Sequence, residues 1–284
     1  MKTVLITGAS TGIGAGAAKY LAGKGWRVFA GVRKGPDGDA LKAGAAGDLR
    51  PIILDVTRPE QVEAAVDVVS AALEGQRLAG LVNNAGIAKM GPLAIQPMED
   101  FRAQFEVNVF GLMAVTQAFV PLLGSDPARK GPPGRIVNIT SVGGKLAAPF
   151  LGTYAATKHA VEALTDALRR ELVIYGIDAI AIGPGSVRTP IWDKAEEENV
   201  DGPYANCDWA EPLKVFEKVM LSGGRSGLTP EQIAGFIETA LSADKPKARY
   251  APVPNKFTNW TIPTRLPKRV LDGIFLKRFG LTER

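Results

Sequence analysis

The 284-residue chain has one cysteine, Cys207, and one histidine, His159. A lone cysteine excludes an internal disulfide and a cysteine-built zinc site, and a lone histidine excludes a histidine-rich metal centre. No metal is expected, Cys207 is expected to be inert, and the scarcity of both residue types points to a reduced, cytoplasmic setting. A serine hydrolase needs a histidine in reach of a serine and an acid. Here His159 follows Lys158 on a helical stretch and no G-x-S-x-G elbow is present, so a surface or interface position is expected for it. Long apolar runs are scarce too. The first, Val4 to Ile6, runs into glycines and hydroxyls rather than a leader's cleavage site, and no run is expected to reach the roughly 18 residues of a membrane span. The body also lacks positive charge, although the formal net charge is +5. Residues 245–284 hold ten Lys or Arg against Asp272 and Glu283, a net of +8; the other 244 residues carry 24 basic and 27 acidic groups, a net of −3. Basicity is thus a property of the C-terminal tail. Nucleic acid is not expected as a partner, and an anionic surface suits such a tail better.

What is present is a regular alternation. Short apolar strands are expected at 2–6, 26–32, 51–56, 80–86 (with a loop), 134–141, 177–185 and 248–253. Helices are expected at 13–24, from Thr57, at 98–123, at 152–172 and at 228–241. The start at Thr57 reads as a capping box with Pro59 in the first turn, whereas 35–48 is rich in glycine and aspartate and reads as a loop with at most a short helix. Near-continuous apolar strands alternating with helices predict a doubly wound α/β fold, a seven-stranded parallel sheet covered on both faces. Residues 1–253 read as one domain. It includes an aromatic-rich insertion at 188–227 (Trp192, Tyr204, Trp209, Phe216), expected to form a lid. Residues 254–284 read as a basic, apolar extension broken by Pro254, Pro263 and Pro267.

Two short stretches carry chemistry. Thr7 to Gly14 read TGASTGIG, after the first strand and at the mouth of the first helix. Glycines there allow a pyrophosphate to approach the backbone, and the helix N-terminus offers free N–H groups and partial positive charge. Tyr154 to Lys158 read YAATK. The four-residue spacing puts the tyrosine and lysine on one helical face. Such a cation would favour the ionised form of a phenol and bring its pKa down from near 10 toward a useful range. A plain amphipathic helix would carry the same pair.

Glycines at 8, 12 and 14 form T-G-x-x-x-G-x-G. With Asp55 in LDV, NNAG at 83–86, Asn108 in FEVNVFG, Ser141 in NITSVGG, YAATK and PGSVRTP at 184–190, the chain resembles the short-chain dehydrogenase/reductase family over about residues 2–253. The resemblance implies a Rossmann-type fold and four catalytic residues. Ser141 would bind the substrate oxygen, and Tyr154 would give or take the proton. Lys158 would support Tyr154 and hold the nicotinamide ribose, and Asn108 would hold a water leading to Lys158; an alternative for Asn108 is back-bonding within its helix. The cofactor would meet Gly8, Ser10, Thr11, Gly12, Ile13 and Gly14, then Asp55 and Val56 at the adenine. It would also meet Asn83, Ala85 and Gly86, the Tyr154–Lys158 pair, and Pro184, Gly185, Val187 and Thr189 at the carboxamide.

The second strand ends VFAGVRK. Where an acidic residue would favour NAD, Val32 and Arg33 stand. Arg33 could pair with a 2′-phosphate, so NADP(H) is expected over NAD(H). Asp37 and Asp39 keep NAD open. Substrate is expected between Ser141, Phe150, Trp192 and Trp209, with Met90, Leu151 and Phe216 nearby. That lining suits a bulky, hydrophobic secondary alcohol or ketone, as in the steroid and retinol dehydrogenase branch that these loops resemble. The alternatives are an NAD-dependent dehydrogenase of a smaller alcohol and a non-catalytic dinucleotide-binding regulator. In the tail, Val270, Leu271, Ile274 and Phe275 could form an apolar stripe. Docking on the body ranks above contact with a membrane surface. The long helices around Asn108 and Tyr154 resemble those that build family dimers and tetramers.

Overall fold

The computed structural model describes residues 1–189 and 203–282. Seven parallel strands form one sheet in the order β3-β2-β1-β4-β5-β6-β7. They are β1 Thr3–Ile6, β2 Arg27–Val32, β3 Leu49–Ile53, β4 Gly80–Asn83, β5 Arg135–Ile139, β6 Asp178–Ile182 and β7 Arg249–Tyr250. The helices are α1 Gly12–Gly23, α2 Gly35–Ala43, α3 Pro59–Leu73, α4 Met98–Phe105, α5 Leu112–Val120, α6 Gly152–Glu171, α7 Ala210–Arg225, α8 Pro230–Ser242 and α9 Lys268–Phe279.

Strand alternation sends side chains to two separate cores. Val4, Ile6, Val28, Ala30, Val137 and Ile180 meet α1 and α8. Leu5, Phe29, Leu81, Ile136 and Ala179 meet α3, α5 and the end of α6. Because both faces are covered, the strands read as unbroken apolar runs rather than alternating ones. The strand order turns outward in both directions from between β1 and β4, and ligands of such sheets sit in the crevice beyond the strand ends at that point.

The short helix allowed at 35–48 forms over residues 35–43, with Pro36 in its first turn. Two expectations need correction. Thr57 does not cap α3: the helix starts one residue later, after Arg58, and the Thr57 hydroxyl instead donates to Asp55 Oδ1 at 2.8 Å. The Met98–Ser125 helix does contain an 18-residue window of mean hydropathy 1.6, long and apolar enough to cross a membrane by composition, but 56% of that window is buried inside the fold. It is apolar because it covers the sheet. By contrast, Thr229 and Gln232 close a complete capping box at the start of α8, as TPEQ at 229–232 suggests.

Candidate active site

The crevice is lined first by backbone. Gly8 and Gly12 have φ of +63° and +58°, a region costly for side-chain-bearing residues. Space is equally restrictive: a Cβ on Gly8 would stand 2.7 Å from Ala85 Cα, and one on Gly14 would stand 2.5 Å from Asn84 Nδ2. The β1 and β4 loops are stitched together by Thr7, whose hydroxyl accepts from the Asn84 and Ala85 N–H groups at 3.0 Å each. Asn84 Nδ2 donates to the carbonyls of Thr7 and Gly8 at 3.0 and 2.9 Å. Thr7 and Asn84 were not among the expected site residues, although both lie inside the quoted motifs.

This cradle fits a dinucleotide. Thr11 precedes α1 without a side-chain cap, and no acidic residue lies in the first turn. The first N–H groups of the helix thus have no side-chain acceptor and can receive an anion. Ser10, Thr11, Ile13 and Gly86 are at least partly accessible. Arg33 is exposed at the end of β2. Asp55 Oδ1 is occupied by the N–H and hydroxyl of Thr57. Val56 is 5% exposed, so its backbone rather than its side chain can meet a ligand.

Asn83 behaves differently from expectation. Its side chain points inward, donating to Thr116 Oγ1 and Asn138 Oδ1 at 2.9 Å each, while Asn138 donates to Thr165 Oγ1 at 2.9 Å. This ladder ties β4 and β5 to the helices beneath them.

The catalytic candidates converge. Ser141 lies two residues beyond β5 in extended backbone, and its Oγ accepts from Gly143 N–H at 3.0 Å. Tyr154 and Lys158 occupy the first turns of α6. Lys158 is 5% exposed and Nζ donates to the Ile139 carbonyl at 3.0 Å. A Cβ on Gly86 would lie 3.2 Å from Asn108 Oδ1 and 3.6 Å from Lys158 Nζ, so the NNAG loop brings both to one point. Asn108 sits in a π turn, Glu106–Gly111, between α4 and α5. Its side chain does not back-bond. Oδ1 accepts from Ile87 N–H and Nδ2 donates to the Ile87 carbonyl, both at 2.8 Å, with a further bond to Thr157 Oγ1 at 3.1 Å.

The electrostatics of Tyr154 and Lys158 reverse the simple expectation. Burial raises the Tyr154 phenol above its ordinary value of 10.0, and a hydrogen bond with Ser141 offsets part of that rise. Burial also lowers Lys158 from 10.5 to about 8. The lysine Nζ lies 5.7 Å from the tyrosine ring centroid. Desolvation of both groups outweighs their mutual attraction.

Pro184 to Thr189 bridge the two parts of the site. The Pro184 carbonyl accepts from Val142 N–H at 2.9 Å, Gly185 N–H donates to Pro252 at 3.0 Å, and Val187 is buried. At the far end, Thr189 Cγ2 would lie 3.2 Å from a Cβ on Gly12. The strip therefore runs from the serine turn to the glycine loop.

Of the expected substrate residues, Trp192 lies outside the described residues. Phe150 and Phe216 are 5% and 0% exposed and form the core of the lid rather than an open lining. Met90, Leu151 and Trp209 remain partly buried around them. Phe150 holds φ of +64°, an uncommon value for a bulky side chain, four residues before Tyr154. The tail docks here: Phe279 stacks edge-on against Phe216 with centroids 5.1 Å apart, and Phe216 against Phe150 at 5.6 Å. Leu271 and Phe275 turn inward, whereas Val270 and Ile274 are half-exposed. His159 is exposed, its Nδ1 2.8 Å from the Ala155 carbonyl. Among the described residues no cluster of metal-ligating side chains occurs.

A crevice of this kind, with serine, tyrosine and lysine at its mouth, defines a nucleotide-dependent oxidoreductase. Residues 2–200 match the profile of the short chain dehydrogenase family, and the chain belongs to that family. It is 38% identical over 277 residues to the NADPH-dependent 3-dehydrocapnine reductase of Ornithobacterium rhinotracheale, covering 98% of this chain and 97% of that protein. It is 33% identical over 294 residues to estradiol 17-beta-dehydrogenase 2 of Mus musculus, covering 98% of this chain and 75% of the relative. The crystal structure of a short-chain dehydrogenase from Streptomyces avermitilis aligns with a TM-score of 0.77 at 28% identity, covering 99% of this chain and 98% of that one.

Proposed function

We propose that the protein uses NADP(H) to interconvert a bulky, hydrophobic secondary alcohol and its ketone. The observation that carries this reading is the meeting of Ser141, Tyr154 and Lys158 in the crevice, with the Tyr154 phenol hydrogen-bonded to Ser141 and Lys158 one turn behind it. Bound cofactor supplies hydride to a carbonyl carbon. Ser141 Oγ donates a hydrogen bond to the carbonyl oxygen and orients it. Tyr154 Oη gives that oxygen its proton, and the reverse transfer serves alcohol oxidation. Burial raises the phenol, so proton transfer needs the cationic Lys158 beside it to bring the pKa back toward the working pH. Lys158, lowered to a pKa of about 8, is still mostly cationic at neutral pH and stabilises the phenolate left when Tyr154 has given up its proton. Asn108 holds the Ile87 loop against Thr157, behind the lysine.

Arg33, exposed beyond β2, is suited to a 2′-phosphate, and the NADPH-dependent relative supports that choice. The lid cluster of Phe150, Phe216 and Phe279, with Met90, Leu151 and Trp209 at its edge, supports an apolar substrate. We place the protein in the cytoplasm as a homo-oligomer assembled through α4, α5 and α6. The test is titration with NADPH and NADH, followed by turnover of hydrophobic ketones. Arg33→Ala is expected to weaken NADPH by about 10- to 100-fold and leave NADH unchanged, as loss of a charge-assisted bond of about 1.5–3 kcal/mol implies. Tyr154→Phe is expected to lower kcat by about 10²- to 10⁴-fold with cofactor affinity retained. Unchanged turnover in Tyr154→Phe would refute the proton-transfer role.

A further inference from the structure

Buried Glu162 and partly buried Arg249 form an ion pair to which none of the roles above gives a use. Glu162 lies on α6, one turn beyond Lys158 and two beyond Tyr154, so the three share a helical face. It is 6% exposed, and a carboxylate at that depth is stable only with partners. These come from β5, β7 and the serine turn. Arg249 Nε donates to Oε1 and Oε2 at 3.0 and 2.9 Å. The Thr140 hydroxyl donates to Oε1 at 2.6 Å, and Lys145 Nζ stands 3.5 Å from Oε2.

Arg249 also reaches outward. Its second guanidinium nitrogen approaches the Ser141 carbonyl at 3.5 Å. Trp260, from the C-terminal extension, covers the guanidinium at 4.3 Å from the ring centroid. Two glycines leave room for the cluster. A Cβ on Gly144 would stand 2.9 Å from Glu162 Cγ, and one on Gly183 would run into the Arg249 guanidinium and stand 2.9 Å from Thr140 Oγ1. Gly144 closes the turn that begins at Ser141. Gly183 opens the strip that continues into Pro184–Thr189. One ion pair thus touches the serine turn, the catalytic helix and the cofactor strip.

We infer that Glu162, Arg249 and Trp260 are positioning residues for Ser141, which makes the C-terminal extension part of the catalytic apparatus. The inference rests on the catalytic reading of Ser141. Glu162 anchors the Thr140–Gly144 turn to α6 through Thr140 and Arg249. Trp260 excludes water from one face of the guanidinium, so the guanidinium stays on Glu162 and the Ser141 carbonyl. Without the indole, water competes for Arg249 and the turn gains freedom. A misplacement of about 1 Å at a reacting group can cost on the order of 10²-fold in rate.

The test compares Trp260→Ala and Trp260→Phe in the full chain. The probes are NADPH-dependent reduction of 9,10-phenanthrenequinone and amide hydrogen exchange, resolved by peptide. Trp260→Ala is expected to lower kcat about tenfold while NADPH affinity holds, and to speed exchange at residues 140–146 but not in β1 or β4. Trp260→Phe is expected to restore both. Wild-type kcat and exchange in Trp260→Ala overturn the inference. So does faster exchange spread over the whole sheet without rescue by phenylalanine, which marks general destabilisation. Failure of the wild-type chain to reduce the quinone counts against the substrate reading alone, because the exchange pattern still decides whether Trp260 holds the serine turn.

Discussion

The two walls of the crevice are built by opposite means. The cofactor wall is backbone against backbone: Gly8 against Ala85, Gly14 against Asn84, with Thr7 and Asn84 stitching the loops. The lid that faces it is side chain against side chain: Phe150, Phe216 and Phe279, drawn from three distant parts of the chain. A wall made of backbone tolerates almost no change, since any added atom displaces the ligand or the neighbouring loop. A wall made of aromatic edges can repack, because non-directional contacts are replaceable. One fold can therefore keep its cofactor while changing its substrate.

The sharpest way to break this contrast is Gly14→Val. Overpacking costs of roughly 1–3 kcal/mol predict an NADPH Kd raised by up to about a hundredfold, with the lid intact. Fluorescence titration of the cofactor measures it, and wild-type affinity would show that the loops yield as readily as the lid.

Lys158 stands where the walls meet. Its pKa is lowered to about 8 in the folded chain from an ordinary 10.5. Between those values the unfolded chain binds more protons, so cofactor-free stability must rise with pH. The burial cost of the charged lysine is full below pH 8 and is relieved above it. Relative to Lys158→Met, the wild type is expected to gain about 2 kcal/mol from pH 7.5 to 9.5. Urea unfolding at several pH values checks this, and a flat difference would show that Lys158 is solvated.

The smallest effect is expected at Phe279→Ala. It removes an edge-on pair worth about 0.5–1.5 kcal/mol, so KM for a bulky ketone should rise severalfold while NADPH affinity stays the same. Steady-state kinetics with bulky and small ketones would sharpen the contrast. Equal losses for both would mean that the tail steadies the whole site rather than shaping the lid.

Legibility in the sequence followed locality. The strands, the glycine loop and the Tyr154–Lys158 face were readable because each is specified within a few residues. The capped start of α8 was readable for the same reason; that of α3 was not, because Asp55 captured the Thr57 hydroxyl. Glu162 was missed although it continues the Tyr154–Lys158 spacing. An acidic residue on a helix normally reads as a solvated charge, and only β7 shows what covers it.

The sequence by itself determined the sheet, its two apolar faces, the place of the glycine loop and the shared helical face of Tyr154 and Lys158, since periodicity and glycine placement act over short range. Only the tertiary structure decided that burial raises the Tyr154 phenol, that Asn83 turns into the core, and that the C-terminal extension docks on the lid and covers Arg249. Those outcomes depend on desolvation and on contacts between residues far apart in the chain, which no local pattern encodes.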